Sequence, residues 1–216
     1  MSAARKQVLT RVRLALGRGE LDKAKLAELR DRIARHPRHI EPSFSEPPRQ
    51  RFRQKLEAAE ASFVELDTIA GVGVEIERYL EASGVAKRVA TSSDKLLHAI
   101  EWPASIDLQP WVAGSDNKVG LTAAYCGIAE TGTLLLVSGE QNPTSLNFLP
   151  DYHIVVLRVE QLLPRMEDAW DSLRTSFTQM PRTVNFISGP SKTADVEQTV
   201  EYGAHGPRCL HVILVG

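Results

Sequence analysis

The sequence predicts an α/β fold, a mostly parallel sheet with helices on both faces, preceded by an N-terminal helical extension. Three observations carry this. From about residue 60 to the last residues, short apolar runs alternate with segments of helical periodicity, the order that builds a parallel sheet covered by helices. The front of the chain has helical stripes, no β-branched run, and a closing stretch with four prolines. The length, 216 residues, suits one main domain plus an appendage. The expected boundaries are 1–49 for the helical extension and its Pro-rich linker, and 50–216 for the α/β domain.

Taken in order, Val8, Val12 and Leu16 recur every four residues on one helix face, and Gly17 and Gly19 stop that helix. A second helix from about Asp22 carries Leu26, Leu29 and Ile33. His36 to Pro48 reads as an extended linker. A third helix over Gln50–Ala61 turns Phe52, Leu56 and Ala59 inward. Ser62–Leu66 is a strand, followed by a helix stripe of Ile69, Val72, Ile76 and Leu80 closed by Gly84. Val85–Ala90 is a strand and Ser93–Ile100 a helix. Apolar runs at Lys118–Ala124 and Gly132–Val137 flank a Glu130–Thr131–Gly132 turn. His153–Val159 is β-branched, and Gln161–Thr175 reads as helix. Thr183–Ile187 and Cys209–Val215 are strands with a helix from about Thr193 to Tyr202 between them.

The composition excludes several function classes. Hydrophobic residues at 43% and charged residues at 25% are ordinary for a globular protein. No run approaches the roughly 20 apolar residues of a membrane helix. The basic start is interrupted by Arg11 and Arg13, which makes a poor signal peptide. Cys126 and Cys209 stand far apart, so the chain cannot supply four thiolates to an iron–sulfur cluster, and a reducing cytoplasm fits best. The six His lack zinc-motif spacing, and no metal site is expected. Residues 1–60 hold 15 Lys and Arg against 8 Asp and Glu, and residues 61–216 hold 11 against 19. The basic residues alternate with acids and lack interleaved aromatics, which points to a solvated helical surface and away from nucleic acid.

Three glycine-rich turns hold the candidate chemistry. In Ser188–Glu197 an apolar strand meets a Gly-Pro turn and then the expected helix. A helix N-terminus there offers free N–H groups to an anion, and Gly189, Ser191, Lys192, Thr193 and Asp195 are the candidate binding residues. The competing reading is helix capping by Ser191 or Thr193. In Gly127–Leu136, Glu130 is a candidate general base or nucleophile, with Thr131, Gly132 and Thr133 beside it, or else the segment is only a tight turn. In Gly203–Leu214, His205 lies between two glycines, Gly203 and Gly206 nearby, as a candidate proton-transfer group. His153 is a further candidate, whereas His211, inside an apolar strand, reads as packed.

At these turns the chain resembles the lactate-utilisation protein C family, LutC/YkgG, also called the LUD domain. The residues that carry the resemblance are Ala129–Thr133, Leu149-Pro150 with His153, Gly189–Glu197, and Gly203–Pro207, in the family's order. Lys192 stands where the family more often has Arg, keeping the charge but losing the bidentate fork. The resemblance implies a fold like that of the ribose-phosphate isomerase, glucosamine-phosphate deaminase and CoA-transferase superfamily. It also implies a part in oxidising L-lactate to pyruvate, with the iron–sulfur clusters on partner proteins and no cofactor in this chain. On this expectation Glu130 and His205 act as acid/base groups while the other turn residues hold a small carboxylate or phosphate. Two alternatives stay open: a free-standing enzyme acting on a CoA thioester or sugar phosphate, and a non-catalytic assembly subunit.

Overall fold

The computed structural model describes residues 2–19, 21–38, 40–112, 116–193 and 200–216. It divides into two units, Met1–Ser43 and Phe44–Gly216. In the first, α1 (Ala3–Ala15) begins at Ser2, whose hydroxyl accepts the Arg5 N–H, and α2 (Lys23–Arg35) begins at Asp22, whose carboxylate accepts the Lys25 N–H. These side chains satisfy donors that a helix start leaves open. Neither helix buries a single side chain.

The second unit opens with α3 (Pro48–Ala58), with proline in its first turn where a missing N–H costs nothing. Then come β1 (Ser62–Leu66), α4 (Val72–Ala82), β2 (Arg88–Thr91), β3 (Asp107–Pro110), β4 (Val119–Ala123), β5 (Cys126–Ile128) and β6 (Thr133–Val137). The remainder is β7 (Tyr152–Arg158), β8 (Leu162–Leu163), α5 (Met166–Ser176), β9 (Val184–Ile187), β10 (Lys192–Thr193), β11 (Glu201–Tyr202) and β12 (Cys209–Val215). Six strands form one sheet in the order β1-β12-β7-β4-β2-β3, and every neighbouring pair is parallel. Four others form a second sheet, β8-β5-β6-β9, in which β6 runs antiparallel to both neighbours.

Strand alternation assigns the faces. On β7 and β12, Ile154, Val156, Ile213 and Val215 point to one side, where Val72, Ile76 and Leu80 of α4 cover them at helical spacing. Val155, Leu157, Val212 and Leu214 point to the other, where they meet Phe52 and Leu56 of α3 and Leu134 and Leu136 of β6. The second sheet thus covers much of a face that the sequence assigned to helices. Its outer side carries Ile128 and Leu135, which pack on Ala169 and Leu173 of α5. Phe52 and Leu56 are wholly buried, and truncating such a side chain costs about 2–5 kcal/mol.

Four expectations about elements need correction. The helix expected over Ser93–Ile100 is a turn followed by a 3-10 segment, Leu97–Ala99, because the Asp94 carboxylate captures the Leu96 N–H. The helix expected from Gln161 starts only at Met166, since Leu162–Leu163 pairs with β5 and Pro164 has no N–H to give. Thr193, expected at a helix start, lies in β10, which pairs antiparallel with β11. Residues 194–199 of that expected helix lie outside the described residues. Strand β3 was not expected at all, because Asp107 and Gln109 leave it no apolar run.

Candidate functional site

The C-terminal turns enclose a cavity of about 190 Å³. Its wall comprises Asn147, Phe148 and His153, the run Phe186–Ser191, the run His205–Pro207, and Leu210. No lining side chain carries a formal carboxylate, ammonium or guanidinium charge. The cavity lies where β9 ends and where β7 and β12 begin, so it occupies the amino edge of the parallel sheet. This differs from the carboxyl-edge, helix-start location that the strand–turn–helix reading implied.

Each turn reaches the cavity by a specific bond. The Thr131 and Thr133 hydroxyls lie 2.6 Å apart, and Thr133 lies 2.6 Å from the Ser188 hydroxyl, which lines the cavity. Each hydroxyl holds one proton, so the three orient as a unit. The Ser191 N–H donates to the Pro207 carbonyl at 2.8 Å, the Gly203 N–H to the Ser191 carbonyl at 3.0 Å, and the His205 N–H to the Ser191 hydroxyl at 3.3 Å. The second and third turns are therefore laced together, with His205 exposed at the cavity wall.

Two glycines are demanded by packing. Gly132 has φ 67, and a Cβ there would lie 2.5 Å from the Cβ of Lys55. Gly189 has φ 123, and a Cβ there would lie 2.8 Å from the Ala59 carbonyl oxygen. Both let a turn run against the end of α3, in backbone conformations that side chains resist. Gly206 lines the cavity with no such constraint, since a Cβ there would meet nothing closer than 3.5 Å.

Glu130 and Lys192 do not line the cavity. The Glu130 carboxylate accepts the Met166 N–H at 3.1 Å, while the Glu130 N–H donates to the Pro164 carbonyl. It thereby satisfies an open donor at the start of α5. The Lys192 ammonium lies 3.0 Å from Glu60 and 5.7 Å from the Tyr202 ring centre. The Tyr202 hydroxyl also donates to Glu60, and together these groups hold the Glu60 carboxyl below its ordinary range, the tyrosine contributing most. Thr193 is in β10, and Asp195 lies outside the described residues.

His153 is the strongest chemical feature of the wall. Its ring is 1% exposed, and Nε2 lies 2.7 Å from the Thr122 hydroxyl. Nδ1 has no hydrogen-bond partner among the described residues. Burial pushes its pKa down to about 3, so the ring is neutral at physiological pH. If Thr122 donates to Nε2, Nδ1 carries the proton; if it accepts, Nδ1 is an acceptor. Sequence reading ranked this residue below His205 because a strand position says nothing about an unsatisfied ring nitrogen.

The LUD domain family matches residues 112–215, the segment that supplies the whole cavity wall. The chain is 37% identical over 100 residues to Lactate utilization protein C of Halalkalibacterium halodurans, covering 44% of each. It is 32% identical over 118 residues to Lactate utilization protein C of Bacillus subtilis, covering 53% of this chain and 49% of that one. With the protein YkgG of Escherichia coli it shares 31% identity over 139 residues, covering 62% and 58%. The chain thus spans about half the length of these curated relatives. A DUF162 family crystal structure from Deinococcus radiodurans superposes with a TM-score of 0.61 at 23% identity, covering 78% of this chain and 96% of that one. It confirms the α/β fold. Over about half of its length the chain is thus similar to lactate-utilisation protein C (LutC/YkgG) proteins, and the segment that builds the cavity matches the LUD domain family.

Proposed function

We propose that this chain is a component of a lactate-utilisation system and binds a small carboxylic acid, of lactate or pyruvate size, in the cavity lined by the second and third turns. The observation that carries the reading is the neutral, buried His153, its Nδ1 unsatisfied among the described residues, in the wall of a small cavity edged by hydroxyls. A hydroxy or keto oxygen of the ligand would complete the bonding of that nitrogen, an open requirement of a buried polar group. The Ser188 and Ser191 hydroxyls would hold the carboxylate, with the exposed His205 as the acid/base group. A volume of about 190 Å³ is below that of pockets for drug-sized ligands. The uncharged wall favours a monocarboxylate over a phosphate or a CoA thioester, so the subunit reading is preferred to that of a free-standing isomerase-like enzyme. Electrons from lactate would pass to iron–sulfur clusters on partner proteins, with no redox cofactor in this chain.

The test is lactate-dependent growth of cells whose own copy is replaced by His153→Gln, Ser191→Ala or His205→Ala. Each protein is first shown to be folded by its thermal transition. Growth is expected to fail or slow severely with His153→Gln and to weaken with the other two. Glu130→Ala and Lys192→Ala, both off the cavity, should affect growth only as far as they affect stability. Normal growth with all three cavity variants would sink the proposal.

A further inference from the structure

We propose that the carboxyl edge of the parallel sheet holds a second, separate site, for an uncharged planar nitrogen heterocycle of nucleobase size. Topology gives the place. From β2 the chain moves outward to β3, while from β4 it moves the other way toward β7. Neighbouring strands whose connections diverge open a crevice at their carboxyl ends, where open α/β sheets bind ligands. The site described above lies at the opposite edge and leaves this one unclaimed.

A cavity of about 270 Å³ occupies this edge, reached by Thr91 at the end of β2, by Ser92 and Ser93 after it, and by Leu108–Pro110 of β3. Ser92 sits in the crevice itself, its N–H donating to the Leu121 carbonyl of β4 at 3.2 Å. Its hydroxyl is buried and has no hydrogen-bond partner among the described residues. A buried hydroxyl left open is a free-energy cost that a ligand's polar edge removes.

The wall states the ligand's chemistry. Trp102 and His98 supply two flat rings, and Leu97 and Leu108 supply apolar surface. Serine and threonine hydroxyls supply donors and acceptors. No lining residue carries a formal charge, so nothing there recognises a phosphate. Flat rings beside an open hydroxyl match a heterocycle with a hydrogen-bonding edge better than they match an acid or an alkyl chain.

The experiment is saturation-transfer NMR on the full chain with adenosine, adenine, ribose and AMP as separate probes. Adenosine and adenine are expected to give saturable signals, ribose none, and AMP no tighter binding than adenosine. Trp102→Ala should weaken adenosine binding roughly tenfold or more. Because Trp102 also packs on the core, Ser92→Ala and His98→Ala serve as milder variants, each expected to weaken binding measurably. The proposal is overturned if wild-type protein gives no saturable signal with adenosine or adenine, if ribose binds as well as adenosine, if AMP binds more tightly, or if both milder variants bind like wild type. None of these outcomes bears on lactate-dependent growth, so the two proposals fail separately.

Discussion

At the scale of single residues, two buried imidazoles govern how this protein answers acid. Burial pushes the His153 pKa down to about 3 and, more than any other cause, the His211 pKa down to about 4. His211 stacks on Tyr79 and bonds Ser62 through Nδ1; Nε2 faces Glu75 at 3.4 Å, and Arg78 opposes any added charge. Unfolded, both rings titrate near 6.5, so below that pH the unfolded chain binds more protons than the folded one. Stability is therefore full above about pH 6.5 and falls as pH drops toward 4, by up to about 1.4 kcal/mol per pH unit for each ring. Urea unfolding at about pH 7 and about pH 5 checks this, and equal stability at both would refute it. The sequence read His211 as packed and named His205, Ser191 and Gly206 as candidates, and the structure brings those three to one cavity wall. It had no means of showing that the Glu130 carboxylate is spent on the first N–H of α5, or that the Lys192 ammonium is held by Glu60. Both partners are far away in sequence or in an element whose start was misplaced.

At the scale of elements, the turns owe their shape to α3. Gly132 and Gly189 have positive φ and touch Lys55 and Ala59 at the end of that helix. Gly132→Ala and Gly189→Ala should each lower unfolding free energy by about 1–3 kcal/mol, whereas Gly206→Ala should change it by less than about 0.5 kcal/mol. Denaturant midpoints for the three variants decide the matter; comparable losses would show that the α3 contact is not the constraint. Strong apolar periodicity made α4, β7 and β12 legible, because Val72, Ile76 and Leu80 recur at helical spacing and β7 and β12 alternate between two cores. Elements whose formation depends on a partner were not legible. Strand β3 exists through its pairing with β2, and β10 through its pairing with β11, neither with an apolar run of its own.

At the scale of the whole molecule, the three apolar clusters are built from residues within Phe44–Gly216, while α1 and α2 bury no side chain. Removing residues 1–43 should therefore leave the thermal transition of the remaining chain within about 4 °C of the original, as scanning calorimetry would show. A larger fall would mean that the helical front stabilises the α/β unit. No helix among the described residues is long and apolar enough to cross a membrane. By itself the sequence determined the α/β class, the strong central strands, the helical front and the three turns that carry the family likeness. Those features rest on periodicity and on glycine placement, which act over a few neighbouring residues. Only the tertiary structure decided which groups of those turns face a common cavity, at which edge of the sheet it opens, and that a second sheet covers one face of the first. Those outcomes depend on contacts between residues far apart in the chain, such as Thr133 with Ser188, Ser191 with Pro207, and Thr122 with His153, which local pattern does not encode.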